Sequence, residues 1–149
     1  MYRAERYSSC SCIAQSGTVA MLAGAAFAYR SARQPCIAMS STEAEIIAAS
    51  ACAMEIVHAR TLLAEMGLLQ DDPTILYVDN SGAVELSRDR KSCHRSRHVD
   101  RRYFKVRELY FQGELRVEHV STHDNVADLL TKPLHRDAYD KHRSRLMNH

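Results

Sequence analysis

Three acidic residues stand at places where a folded chain could bring carboxylates together. Asp79 directly follows the apolar run Ile75-Leu76-Tyr77-Val78, Glu45 lies in the first turn of a long apolar-periodic segment, and Asp128 follows an alternating run. A carboxylate at the end of a buried strand faces the crevice where α/β folds commonly carry function. Hard divalent cations such as Mg2+ prefer carboxylate oxygens. Several carboxylates converging from different elements could hold two such ions and clamp the attacking and leaving oxygens of a phosphodiester. Each acid also has a structural role open to it. Thr42-Glu43-Ala44-Glu45 reads as a capping box, with Thr42 as N-cap and Glu45 three residues on. Asp79-Asn80 could open a turn or cap the next helix. Asp128, close to a helix start, favours the helix dipole in any case. Residue pattern alone leaves these alternatives open.

The elements that must position these acids follow from periodicity and turn chemistry. Thr18 to Arg30, rich in small and apolar residues, reads as a hairpin of two buried strands, with a short helix as the alternative. Thr42 to Leu68 is the clearest helix, with apolar residues at Ile46, Ile47, Ala49, Ala53, Ile56, Val57, Leu63 and Met66 and a stop at Gly67. Thr74 to Val78 reads as a buried strand, and Ser81 to Ser87 as a short helix started by Asn80 or Ser81. Val99, Tyr103, Val106 and Tyr110 share one face of an amphipathic helix stopped by Gly113. Glu114 to Val120 alternates as a half-buried strand, with Leu115, Val117 and His119 inward. A short helix begins at Asp124 or Asn125 and ends before Pro133, and Arg136 to Met147 forms a last helix. This order implies a mixed sheet with helices packed on it.

Length and charge bound the function classes. At 149 residues, 46% hydrophobic and 26% charged, the chain is one globular domain's worth, without a repeat or low-complexity tract. The formal charge of +2 does not mark a nucleic-acid binder by itself. The distribution matters more: from Arg88 to Arg107 there are nine Lys or Arg against two acids, Asp89 and Asp100. Such a stretch is either a solvated helix face or a phosphate-binding surface. The five cysteines, Cys10, Cys12, Cys36, Cys52 and Cys93, lack disulfide-framework spacing and read as free thiols in a reducing compartment. Cys10-Ser11-Cys12 has no second Cys pair to complete a zinc site. Val19 to Ala28 is too short to span a bilayer. A secretory leader is a rival reading, given Arg3, Arg6 and Ala26-Phe27-Ala28, but Gln15 to Thr18 interrupts its apolar region.

Four motifs in order carry a resemblance. Met39-Ser40-Ser41-Thr42-Glu43-Ala44-Glu45-Ile46-Ile47-Ala48 resembles the copia-type motif LSSTEAEYIA. Tyr77-Val78-Asp79-Asn80-Ser81-Gly82-Ala83 is similar to YCDNQSA. Arg95-Ser96-Arg97-His98-Val99-Asp100 with Arg102-Tyr103-Phe104 resembles RTKHID.RYHF. Gly113-Glu114-Leu115 and then Val120 through Leu134 resemble GEL…VPTKDQLADILTKPL. The chain thus resembles the ribonuclease H domain of copia-type (Ty1/copia) LTR retrotransposon Pol polyproteins, over about residues 16–146 of a single domain; residues 1–15 are atypical. The resemblance implies an RNase H-like α/β fold, a five-stranded mixed sheet with helices on both faces. It implies Mg2+-dependent (or Mn2+-dependent) hydrolysis of RNA in RNA–DNA hybrids, with two ions on Glu45, Asp79 and Asp128. His123 is similar in position to a loop His that helps product leave, with a plain surface loop as the alternative. A zinc set of His119, His123 and Asp128 is the weaker reading, since neutral His suits zinc better than Mg2+. The basic residues Arg90, Lys91, Arg95, Arg97 and His98 would meet hybrid phosphates. The implied partners are the hybrid and an upstream reverse transcriptase domain, with no membrane, in intracellular particles or the nucleus.

The first strand departs from the family pattern. The family opens with a central strand similar to YSDADWAG, whose first Asp is a metal ligand. Here the corresponding stretch is Met1 to Cys12, and Glu5 is its only acid. A gapped alignment places Ser9 at the Asp position and an ungapped one places Tyr2 there. A Ser hydroxyl is neutral and brings one oxygen where a carboxylate brings charge and two. The first strand is therefore expected to be degenerate or truncated, and activity weakened or lost. An active nuclease using Glu5 or another group, a non-catalytic nucleic-acid-binding module kept by a host, and an unrelated secreted protein are the competing readings.

Overall fold

The computed structural model describes residues 14–34, 38, 40–89 and 97–147, with the side chains of 97–103 excepted. Ser9, Glu5, Tyr2, Arg90, Lys91 and Arg95, all singled out above, lie outside the described residues, as do the side chains of Arg97, His98 and Tyr103.

Two strands, β1 (Gln15–Leu22) and β2 (Ala25–Arg33), form an antiparallel hairpin. Its turn, Ala23-Gly24, has φ of 51° and 87°. Two successive positive φ values match the twist of the flanking strands. A bulge falls between Ala20 and Met21. The hairpin, not the alternative helix, is what the segment forms, but its strands are not buried. Both are half-buried to exposed, and Phe27 and Tyr29 stand in solvent. Among the described residues each strand has one neighbour.

Helix α1 (Ser41–Glu65) follows. Its N-cap is Ser40, whose side chain accepts a hydrogen bond from Glu43 N at 3.1 Å. The capping sequence is therefore Ser40-Ser41-Thr42-Glu43, two residues earlier than the Thr42–Glu45 box expected. That shift releases Glu45 from any capping role. At the other end Gly67, φ 78°, closes the helix through Gly67 N to Ala64 O and Leu68 N to Leu63 O. This pair of bonds satisfies the last carbonyls, and the left-handed residue is one glycine adopts without penalty. The helix is long and apolar enough to cross a bilayer, yet its N-terminal two thirds form the core of this fold.

Arg60 fixes the return of the chain by donating to Asp72 O, Gln70 O and Thr74 Oγ1. Strand β3 (Thr74–Val78) then pairs in parallel with β4 (Leu115–His119), Val78 opposite His119. The crossover between them contains α2 (Ser81–Arg88), capped by Asn80, and α3 (Arg97–Phe111), closed by Gly113 at φ 77°. In β4 Leu115 and Val117 point inward, while His119, also expected inward, is exposed at the strand's last residue. A 3-10 helix, Val126–Leu130, and α4 (Arg136–Met147) complete the chain.

The core joins Ile46, Ala49, Ala53 and Ile56 of α1 to Leu76 and Val78, Ala83 and Val84, Val106 and Leu109, and Leu115 and Val117. Among the described residues it receives nothing from the hairpin. The architecture is α/β, as expected. The five-stranded sheet is not formed by the described residues, which make two separate two-stranded sheets.

Candidate active site

Glu45, Asp79 and Asp128 reach one neighbourhood from three elements. Glu45 leaves the second turn of α1 on its inward face and is buried at 8% exposure. Asp79 is the first residue beyond β3, at the carboxyl end of the parallel pair. Asp128, 4% exposed, belongs to the 3-10 helix. The loop that brings Asp128 round is held at both ends. Val120 N donates to Val78 O at 3.0 Å, which keeps the loop against Asp79. Ser121 Oγ and Lys141 Nζ both donate to the Asp124 carboxylate, and these bonds hold its pKa below the ordinary value.

Asn125 links two of the acids. Its Nδ2 lies 3.4 Å from Asp79 Oδ2 and 3.4 Å from Asp128 Oδ1. Its Oδ1 accepts from Ala127 N and so caps the 3-10 helix. Sequence reasoning considered Asn125 as a helix start only; its second role depends on Asp79, 46 residues away. Lys132 was also missed. Its Nζ lies 2.5 Å from Asp128 Oδ2, one helical turn on. The i, i+4 spacing was the available signal.

Glu45 reports the electrostatic strain of this arrangement. Burial, then repulsion from Asp79 and from Asp128, pushes its pKa from 4.5 up to about 8, with Lys132 opposing. Its Oε1 is buried with no hydrogen-bond partner. An orphaned carboxylate oxygen beside two further carboxylates is chemically suited to a hard cation. As the side chains stand, however, no three His, Cys, Asp or Glu groups among the described residues close on one ion.

The hairpin supports the site from the side. Gly17 permits the close approach of β1 to the 3-10 helix, since a Cβ there would lie 2.7 Å from Ala127 O and from Thr131 Cγ2. Ser31 Oγ donates to Leu130 O at 2.6 Å. Gln34, itself buried, donates to Ala44 O and to Ser16 Oγ, tying the hairpin to α1 beside Glu45. His142 of α4 is buried too, and burial together with Lys141 lowers its pKa.

Other expected groups are not drawn in. His123 is exposed on the loop, and only its carbonyl is engaged, by Lys141 Nζ. His119, His123 and Asp128 do not form a metal set. Cys52 is a buried free thiol, raised to about 11 by burial.

Comparison with known proteins gives the class. The chain is 35% identical over 125 residues, 84% of its length, to the retrovirus-related Pol polyprotein from transposon TNT 1-94 of Nicotiana tabacum. It is 34% identical over 90% of its length to the corresponding polyprotein from transposon RE1 of Arabidopsis thaliana, and 35% identical over 85% to that from transposon RE2. These relatives are Pol polyproteins of copia-type transposons, and they support a retrotransposon Pol origin for this chain. The chain spans about 9% of the length of each. No family model matches it. No solved structure matches it.

Proposed function

We propose that this chain is an RNase H-like domain of a copia-type retrotransposon Pol polyprotein. Its ancestral activity is divalent-metal-dependent endonucleolytic hydrolysis of RNA in RNA–DNA hybrids during reverse transcription. The observation that carries the reading is the meeting of Glu45, Asp79 and Asp128, from α1, the end of β3 and the 3-10 helix, with Asn125 between two of them. These three would hold Mg2+ or Mn2+, two ions in the assembled site. When bound, the ions supply an activated water and neutralise the leaving oxygen. The protein's own part is positional. Asn125 orients Asp79 and Asp128, Lys132 balances the Asp128 charge, and Glu45 would hold a cation in its carboxylate form. His123 stands on the exposed loop where product would leave. Arg90, Lys91, Arg95, Arg97 and His98 meet the hybrid's phosphates. In the full-length element a reverse transcriptase domain lies upstream, and the product works in intracellular particles or the nucleus.

A second reading rests on the ammonium of Lys132 at Asp128. A fixed positive charge on one of three acids, together with Ser9 or Tyr2 in place of the first-strand Asp, fits a module that binds nucleic acid without cutting it. Cleavage of a labelled RNA–DNA hybrid in Mg2+ separates the two. The nuclease reading expects scission of the RNA strand, abolished by Asp79→Asn, a loss of at least about a hundredfold for a metal ligand. Folded chain that binds the hybrid in a salt-dependent way and leaves it intact supports the binding module instead.

A further inference from the structure

An ammonium group already sits on one of the three acids. Lys132 Nζ lies 2.5 Å from Asp128 Oδ2. The backbone fixes this pairing: Thr131 N and Lys132 N both donate to Asp128 O at 3.2 Å, so a single turn carries both partners. The two partners differ in exposure. The Asp128 side chain is 6% exposed and that of Lys132 is 32% exposed. The acid is held in the interior, and the lysine stem reaches it from the surface. The other oxygen, Asp128 Oδ1, has Asn125 Nδ2 at 3.4 Å, a long contact from a neutral donor. The ammonium is the closer partner, and its charge is felt beyond Asp128: at Glu45 it opposes the repulsion from Asp79 and Asp128. Carboxylates that meet away from water need such a compensating charge. A lysine ammonium is a compact point charge on a flexible four-carbon stem, without the fixed fork that makes a guanidinium pair rigid. It can supply the charge and it can leave.

We propose that Lys132 is an exchangeable internal counter-ion: it occupies Asp128 Oδ2 in the metal-free chain and withdraws to solvent when a divalent cation takes that oxygen. The role rests on the metal-site reading of Glu45, Asp79 and Asp128, and it makes Lys132 the residue that sets the cation concentration at which the site fills. Competition gives the size of the effect. An oxygen paired with the ammonium about nine-tenths of the time binds a competing cation about tenfold more weakly than a free one. The same pairing spares the metal-free fold the repulsion of bare carboxylates.

The test reads cation binding rather than cleavage, on the full chain, with Mn2+ as the probe and free Mn2+ followed by electron paramagnetic resonance. Lys132→Met removes the charge and keeps the stem, and Lys132→Arg keeps the charge. The expected result is Mn2+ affinity at least about tenfold higher for Lys132→Met than for the parent, with Lys132→Arg no tighter than the parent. In EDTA, Lys132→Met should melt below the parent, and the gap should close at saturating Mn2+. Unchanged or weaker binding by Lys132→Met, in a parent chain that binds Mn2+, overturns the counter-ion role alone. Absence of Mn2+ binding from parent and variant alike overturns it together with the metal-site reading.

A second measurement needs no variant. Lysines of the parent are acetylated with an N-hydroxysuccinimide ester, and the rate at each is read by mass spectrometry. Lys105 and Lys141, paired with Glu108 and Asp124 outside the acid cluster, serve as internal controls. Saturating Mn2+ should speed acetylation of Lys132 by about fivefold or more and leave both controls unchanged. An equal rate at Lys132 with and without Mn2+ overturns the exchange.

Discussion

Burial and the neighbouring Asp79 carboxylate leave Glu45 holding its proton up to about pH 8. The folded-state pKa lies above the ordinary 4.5, so between pH 4.5 and about 8 the folded chain binds a proton that the unfolded chain has released. Stability contributed by the protonated form is complete below the unfolded value and declines as pH rises through that window. The decline has an upper bound of ~1.4 kcal/mol per pH unit. Glu45→Gln keeps the shape and removes the titration. Without divalent cation, melting curves should show the variant close to the parent at pH 5 and clearly more stable at pH 8. An equal difference at both values would mean that Glu45 does not carry the strain. At the start of the same helix the cap is Ser40, not Thr42. Ser40→Ala should cost about 1 kcal/mol in urea unfolding, whereas Thr42→Ala should change little.

Two elements meet at Gly17, and their contact decides where Asp128 stands. A Cβ at this position would lie 2.7 Å from the backbone oxygen of Ala127, an atom that cannot rotate away. Gly17→Ala therefore pushes the 3-10 helix from the hairpin, at a cost of about 1–3 kcal/mol by chemical denaturation. The displacement passes to Asp128 and to the Asn125 bridge, so divalent-cation binding should weaken along with stability. Unchanged stability would show that β1 and the 3-10 helix do not touch as described. The 3-10 helix is short and buries one residue, Asp128, so its position depends on such outside contacts rather than on a packed face of its own.

For the whole molecule, the distribution of the core sets the order of unfolding. Among the described residues, buried apolar contacts join α1, β3, α2, α3 and β4, and the hairpin contributes none. The hairpin is held chiefly by its own ladder and by polar contacts such as Gln34 to Ala44 O and Ser31 to Leu130 O. Regions with few buried apolar contacts open at lower free energy than the core. Native-state hydrogen exchange should find β1 and β2 opening as a separate unit, with α1, β3 and β4 amides protected up to the global unfolding limit. A single free energy for all strands would show that the hairpin belongs to the core's cooperative unit.

Local chemistry determined much of this protein before any contact was known. The run Ile75 to Val78 between Pro73 and Asp79 specified β3, the alternation Leu115, Arg116, Val117 specified β4, and Gly67 and Gly113 marked helix ends, because each signal acts within a few residues. The order of motifs likewise pointed to the retrotransposon Pol relatives. The placement of Glu45 was not legible: capping and site geometry share the same spacing, and only the packed start of α1 shows that Ser40 takes the cap. Nor was Asn125 legible as part of the acid cluster, since its contact with Asp79 spans 46 residues that no local pattern encodes; Lys132 carried a local signal in its i, i+4 spacing to Asp128. The hairpin was foreseen, but the expected burial of its strands was not found, because burial of a strand depends on what packs against it. Short-range steric and hydrogen-bonding rules made the elements; long-range packing alone decided which carboxylates meet.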